Sequence, residues 1–191
     1  LAGLLASRGL SVRATTAALL TWEDFRQRNL ILLGHNEQNT WMDPLLNDYP
    51  LQLQSTEPSI QRRIVNTDPR PGEPDHYEID YPASKGEPTI EHALVSMLPG
   101  TDGLHQLLLV SGLNTQATLM AIEFLADEVR AEQLIGTLRE QDPNHQGPWH
   151  FQVVLSAEVR ELVATGGSIE LVRLVEPPED VAVSSKQVAK P

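Results

Sequence analysis

Apolar residues recur along this chain with two spacings, every third or fourth position and every position or two, and the switching between them outlines the elements. Leu1, Leu4 and Leu5 share one helical face and Gly9 follows where a helix stops, so residues 1–8 read as a helix. Ser11–Leu20 carries β-branched residues and reads as a strand. Thr21-Trp-Glu-Asp24 has the form of a helix start, with Thr21 as N-cap and an acid three residues on, and the helix runs to about Arg28. Leu30-Ile-Leu-Leu33 is a continuous apolar run closed by Gly34, the pattern of a central strand buried on both faces. Thr40–Leu46 reads as a second short helix capped by Asn39 or Thr40. This alternation is the rhythm of a doubly wound α/β sheet.

Between Tyr49 and Glu91 the chain turns rich in Pro, Gln, Asp and Glu. Arg62–Asn66 and His76–Tyr81 read as short strands around Asp68-Pro-Arg-Pro-Gly-Glu-Pro74, an antiparallel hairpin inserted at the sheet edge. His92–Leu98 and Gln106–Val110 are two further strands joined by the turn at 99–103, and the apolar second one belongs at the centre. From Asn114 to about Glu140 the spacing predicts one long helix with Leu119, Ile122, Leu125 and Val129 as one stripe, extended by Leu134 and Leu138, and Asn114 or Thr115 as cap. A register change falls near Asp127–Ala131. Phe151–Val159 and Ser168–Val175 read as a strand pair turning at Thr165-Gly-Gly167. The expected architecture is an α/β, Rossmann-like three-layer sandwich with a mixed sheet, a hairpin insertion over 49–91 and a C-terminal strand pair. Residues 1–176 form one domain, and 177–191 form a loose acidic, then Ser/Lys-rich, tail. A start in mid-helix reads as an excised domain lacking its first strand.

Composition narrows the function. The 191 residues carry a formal charge of −12, which disfavours nucleic acid and anionic lipid as partners because both need a basic face. The charge is uneven: residues 1–63 hold six basic and six acidic groups, and 64–191 hold eight and twenty. With no Cys there is no disulfide, thiolate metal site or cysteine nucleophile. No apolar run approaches the ~18 residues of a membrane-spanning helix. No compartment is signalled, and cytoplasmic is the default.

The informative constellation is a pair of strand–loop–helix junctions, Gly34-His-Asn-Glu-Gln-Asn-Thr40 and Ser111-Gly-Leu-Asn-Thr115. In open α/β sheets ligands bind outside the carboxyl ends of strands, where helix N-termini offer free N–H groups. The candidate ligand residues are Gly34, His35, Asn36, Asn39, Thr40, Ser111, Gly112, Asn114 and Thr115. Gly permits close approach, and Asn and Thr supply uncharged donors and acceptors. The same Asn and Thr residues also read simply as helix caps. Neither dinucleotide nor P-loop fingerprint is present. Ser111 lacks the Gly-x-Ser-x-Gly elbow of a hydrolase, so no catalytic residue is assigned. His76, Glu78 and Asp80 share a strand face but read as the solvated side of a hairpin rather than a metal site, and no cofactor is expected. Arg26, Arg28, Arg62 and Arg63 are the clustered positives, able to pair with acids of the second half or to receive an anionic partner, and surface pairing is the favoured reading.

Several stretches taken together resemble a known family. These are Leu19–Arg26, Leu30–Trp41, His92–Leu98, Leu107–Leu125 and Phe151–Ser156, which cover most of residues 1–176. They resemble a Rossmann-like domain of acidobacterial proteins that often follows a winged-helix DNA-binding domain. The resemblance implies a fold and a regulatory or sensing context, with no established activity, and DNA binding is not carried over. Members tend to have Gly at the start of the long helix where this chain has Gln116, which departs from any shared ligand contact there. The expected function is non-enzymatic sensing of a small polar or anionic ligand, or protein interaction, within a larger bacterial protein. One alternative is an enzyme acting on a nucleotide or sugar phosphate at the same sheet edge. Another is a self-assembling module whose edge strands pair into a homo-oligomer.

Overall fold

The computed structural model describes residues 2–56, 61–81 and 88–176. Helix α1 spans Ala2–Ser7, a 3₁₀ turn covers Ala17–Leu19, and α2 spans Trp22–Gln27. Strand β1 is Leu30–Leu33, α3 is Met42–Leu46, and β2, β3 and β4 are Leu51–Thr56, Gln61–Asn66 and His76–Tyr77. Then follow β5 (Thr89–Pro99), β6 (Gln106–Gly112), α4 (Thr115–Ala126), α5 (Glu128–Gln141), β7 (Phe151–Arg160) and β8 (Val163–Leu174). The molecule is mixed α/β. Five strands form one sheet in the order β1-β6-β5-β7-β8, and β2-β3-β4 form a separate antiparallel sheet. In the large sheet β1 runs parallel to β6, and the other pairings are antiparallel.

The period of two along the inner strands sorts side chains into two cores. Ala93, Val95, Val110, Val153 and Leu155 pack with Ala117, Met120, Phe124, Leu134 and Leu138 of α4 and α5. Leu94, Leu98, Leu107, Leu109 and Val154 pack on the other face with Phe25, Met42, Leu46, Leu51, Leu53 and Ile64, from α2, α3 and the small sheet. A polar side chain joins the sheets through the second core. Gln152 on β7 is fully buried. Its Oε1 accepts from Leu51 N–H at 2.9 Å and its Nε2 donates to Leu51 C=O at 2.8 Å, as another peptide group would. Nε2 also donates to Ser96 Oγ at 3.2 Å.

Several expectations are corrected. Ser11–Leu20 forms no strand: it is irregular apart from the 3₁₀ turn, because β-branched residues without a partner strand have no ladder to join. Strand β1 lies at the edge, not the centre, and Ile31 and Leu33 stay 37% and 44% exposed. The strand with two neighbours on each side is β5. The long helix is two helices. Asp127 leaves helical geometry at ψ 119 and caps the second, accepting from Arg130 N–H at 3.0 Å. The buried stripe of α4 is Ala117, Met120, Ala121 and Phe124, while Leu119 and Val129 face out. The last hairpin turns at Glu161-Leu162, both with positive φ, and Gly166-Gly167 fall inside β8 near a register shift. His76–Tyr81 pairs only over His76–Tyr77, with Asp80 bridging to Ile90. The cap of α3 is Trp41 rather than Asn39 or Thr40. The expected tail at 177–191 lies outside the described residues. Strand β2 was not expected, although Leu51-Gln-Leu-Gln54 alternates with a period of two. Among the described residues no helix is long and apolar enough to cross a membrane.

Candidate functional site

The parallel pair creates the site. Gly34 N–H donates to Val110 C=O at 3.1 Å, extending the β1–β6 ladder by one residue. At Gly34, with φ +101, the chain turns away. His35 C=O then accepts from the N–H groups of Gln38 and Asn39 at 3.0 and 2.9 Å, and His35 N–H donates to Gln38 Oε1 at 3.1 Å. This tight turn leads to α3, which packs on the small-sheet face. Strand β6 instead leads into α4, on the opposite face. Adjacent parallel strands whose chains leave to opposite faces open a crevice between their carboxyl ends.

Gly112 sets the depth of that crevice. A Cβ there would lie 2.2 Å from Thr118 N and 2.7 Å from Asn114 C=O oxygen, so the strand end and first helical turn touch through backbone. Asn114 caps α4 by accepting from Ala117 N–H at 2.9 Å. Thr118 Oγ1 accepts from Gly112 N–H at 3.0 Å and donates to Asn114 C=O at 2.9 Å. The N–H groups of Thr115 and Gln116 have no partner within the helix, as its first residues cannot.

A cavity of about 500 Å³ occupies the crevice. Gly34, His35, Gln38 and Arg62 line one side of it and Gly112, Asn114, Thr115 and Thr118 the other, with an apolar wall of Leu33, Leu119 and Ile122. Arg62 comes from β3 in the small sheet. Its Nε and Nη2 donate to Glu37 Oε2 at 3.1 and 2.5 Å, and its Nη1 donates to Leu113 C=O at 3.3 Å, one residue before the cap of α4. The Arg62 hydrogen bond, then that of Ser55, hold the Glu37 carboxyl down at about 2.

His35 is the unusual group. It is 1% exposed, and among the described residues neither ring nitrogen has a hydrogen-bond partner. Burial first, and the nearby Arg62 charge second, lower its pKa to about 4. The ring is therefore a neutral imidazole at physiological pH, with one N–H to donate and one nitrogen to accept.

Five of the nine sequence candidates line the cavity: Gly34, His35, Gly112, Asn114 and Thr115. The other four do not. Asn36 Nδ2 donates to Asp43 Oδ2 at 3.2 Å. Asn39 is buried and accepts from Trp41 N–H at 3.2 Å, a local turn contact. Thr40 is exposed. Ser111 shares the β6 parity of Leu107 and Leu109, which face the small sheet, and its buried Oγ has no partner among the described residues. Arg62 pairs with Glu37, an acid of the first half rather than the second. Leu119 and Ile122 read as core from their spacing. The signal that separates them is the competing stripe Ala117, Met120, Ala121, Phe124, one residue round the helix.

Among the described residues the lining offers one imidazole, one guanidinium, the Gln38 and Asn114 amides, the Thr115 and Thr118 hydroxyls and backbone N–H groups, and no carboxylate, Lys or Ser. It can bind and orient a ligand, and among the described residues the His35 ring makes no hydrogen bond to either hydroxyl. Among the described residues no three His, Asp or Glu side chains cluster to hold a metal. Comparison with family models, curated proteins and solved structures finds no match, so geometry carries the functional reading.

Proposed function

We propose that this chain is a small-ligand-binding sensing domain, non-catalytic, with its site at the joined ends of β1 and β6. One observation carries the reading. A buried imidazole with no hydrogen-bond partner among the described residues lines a cavity at the carboxyl ends of two adjacent parallel strands, beside the N-terminus of α4. Native structures rarely leave buried polar groups unpaired, and ligands are a common partner for those that remain. The resemblance to an acidobacterial Rossmann-like domain supports the same role within a larger regulatory protein. A Rossmann-like layering is part of this proposal, with the β1–β6 pair as its parallel element.

The test is a thermal-shift screen of a metabolite panel on the wild-type chain, followed by Leu119→Glu and His35→Phe variants. A specific binder at 100 times its Kd should add about 2.7 kcal/mol of stability. Both variants should lose that shift while remaining folded. Steady turnover of a panel compound, abolished by Asn114→Ala, would replace this reading with the enzymatic one.

A further inference from the structure

Resting on that reading, we infer the class of ligand: a monocarboxylic acid with an apolar body. The polar end of the cavity is built for a single negative charge. Thr115 N–H, at the first position of the 12-residue helix α4, lies where the helix dipole favours an anion. The Arg62 guanidinium is fixed one residue before the cap of that helix by its bond to Leu113 C=O. Three of its five N–H groups are engaged in the bonds described above, which leaves two for a ligand. His35, more than nine-tenths buried and without a partner among the described residues, adds a neutral donor at the same end.

The charge count separates a carboxylate from a phosphate. Arg62 already shares its charge with Glu37, and among the described residues no second cation lines the cavity. Asn114 Oδ1 is committed to the helix cap. A phosphate dianion would bring two charges to a guanidinium already paired with the Glu37 carboxylate and to no glycine-rich cradle, whereas a carboxylate needs only the two remaining guanidinium N–H groups and the helix end. Beside these groups one wall of the cavity is apolar. Leu33 and Leu119 are 44% and 54% exposed, a surface that an alkyl or aryl body would cover.

The experiment is a ¹H–¹⁵N NMR titration of the chain with octanoate, acetate, 1-octanol and inorganic phosphate. Octanoate should saturate and shift the amides of Thr115 and Gln116 together with those of Leu33 and Leu119. Acetate and 1-octanol should each bind at least about tenfold more weakly, since each lacks one end of the match. Phosphate should not displace octanoate. Thr115→Pro removes the N1 N–H at a position where proline suits a helix, and Asn114 before it is already extended at φ −149. The helix should persist while octanoate affinity falls roughly three- to tenfold. Equal affinity in Thr115→Pro, binding of 1-octanol as tight as octanoate, or competition by phosphate would each overturn the assignment. If the carboxylates leave these amides unmoved but another panel metabolite shifts them, the ligand class fails and the site stands. If no compound shifts them, both fail.

Discussion

His35 bears two costs at once, a buried ring and two unpartnered nitrogens. Replacing an unpaired buried polar group by an apolar one of like shape is neutral or stabilising. His35→Phe is therefore expected to raise stability by about 1 kcal/mol, read by urea denaturation, while weakening any ligand. The pH dependence follows from the same residue. The unfolded chain takes up a proton near 6.5 and the folded one only near 4, so stability is full above 6.5 and is lost as pH falls through that window. The loss by pH 4 is roughly 3 kcal/mol. His150, also held low by burial, acts in the same direction. A wild-type denaturation series from pH 7.5 to 4 should show this slope, and His35→Phe should flatten most of it. An unchanged slope would mean that His35 is not the group being charged.

Among the elements, the junction of β6 with α4 tolerates least. Gly112→Ala would place a methyl 2.2 Å from Thr118 N, where only backbone can give way. It is expected to cost roughly 3 kcal/mol or more and to change the Thr115 and Thr118 amide shifts. Ordinary stability would show that α4 can slide away from the strand. The β7–β8 turn is the opposite case. Glu161 and Leu162 sit at φ 49 and 68, where side chains other than Gly, Asn or Asp are strained. A Glu161→Asn, Leu162→Gly double variant should raise Tm, with a gain of about 1–2 kcal/mol. Most element types were legible from periodicity. Positions within the sheet were not, because an apolar run such as Leu30–Leu33 reads alike at a centre and at an edge whose outer face borders a cavity.

At the scale of the molecule, the two sheets are held as layers by the shared apolar core and by Gln152 acting as a peptide mimic toward Leu51. Gln152→Leu would leave both Leu51 backbone groups without that partner, and is expected to destabilise by roughly 2–4 kcal/mol. Hydrogen exchange should locate the loss in β2 and β3. A change spread evenly over α4 and α5 would speak against the latch. A second polar tie joins the same layers: the Arg173 guanidinium donates to Asp68 C=O at 2.7 Å and pairs with Glu73. Burial alone would raise the Glu73 carboxyl. The Arg70 N–H, Asn66 and Arg173 outweigh it and hold the group below its ordinary range. The net −12 thus includes acids committed to internal pairs.

The sequence by itself determined the elements that local physics controls: the Thr21 capping box, the Asn114 cap, the glycine stops, the apolar strands, and the neutral first half. It also brought the Gly34 and Gly112 junctions forward as one edge, because both follow apolar strands and precede helices. Tertiary structure alone decided what faces what. Arg62 reaches the cleft from another sheet, Leu119 and Ile122 turn toward the cavity rather than the core, and Ser111 turns away from it. These are matters of strand order and of which face each connection takes. They depend on contacts between residues tens of positions apart, which no local period records.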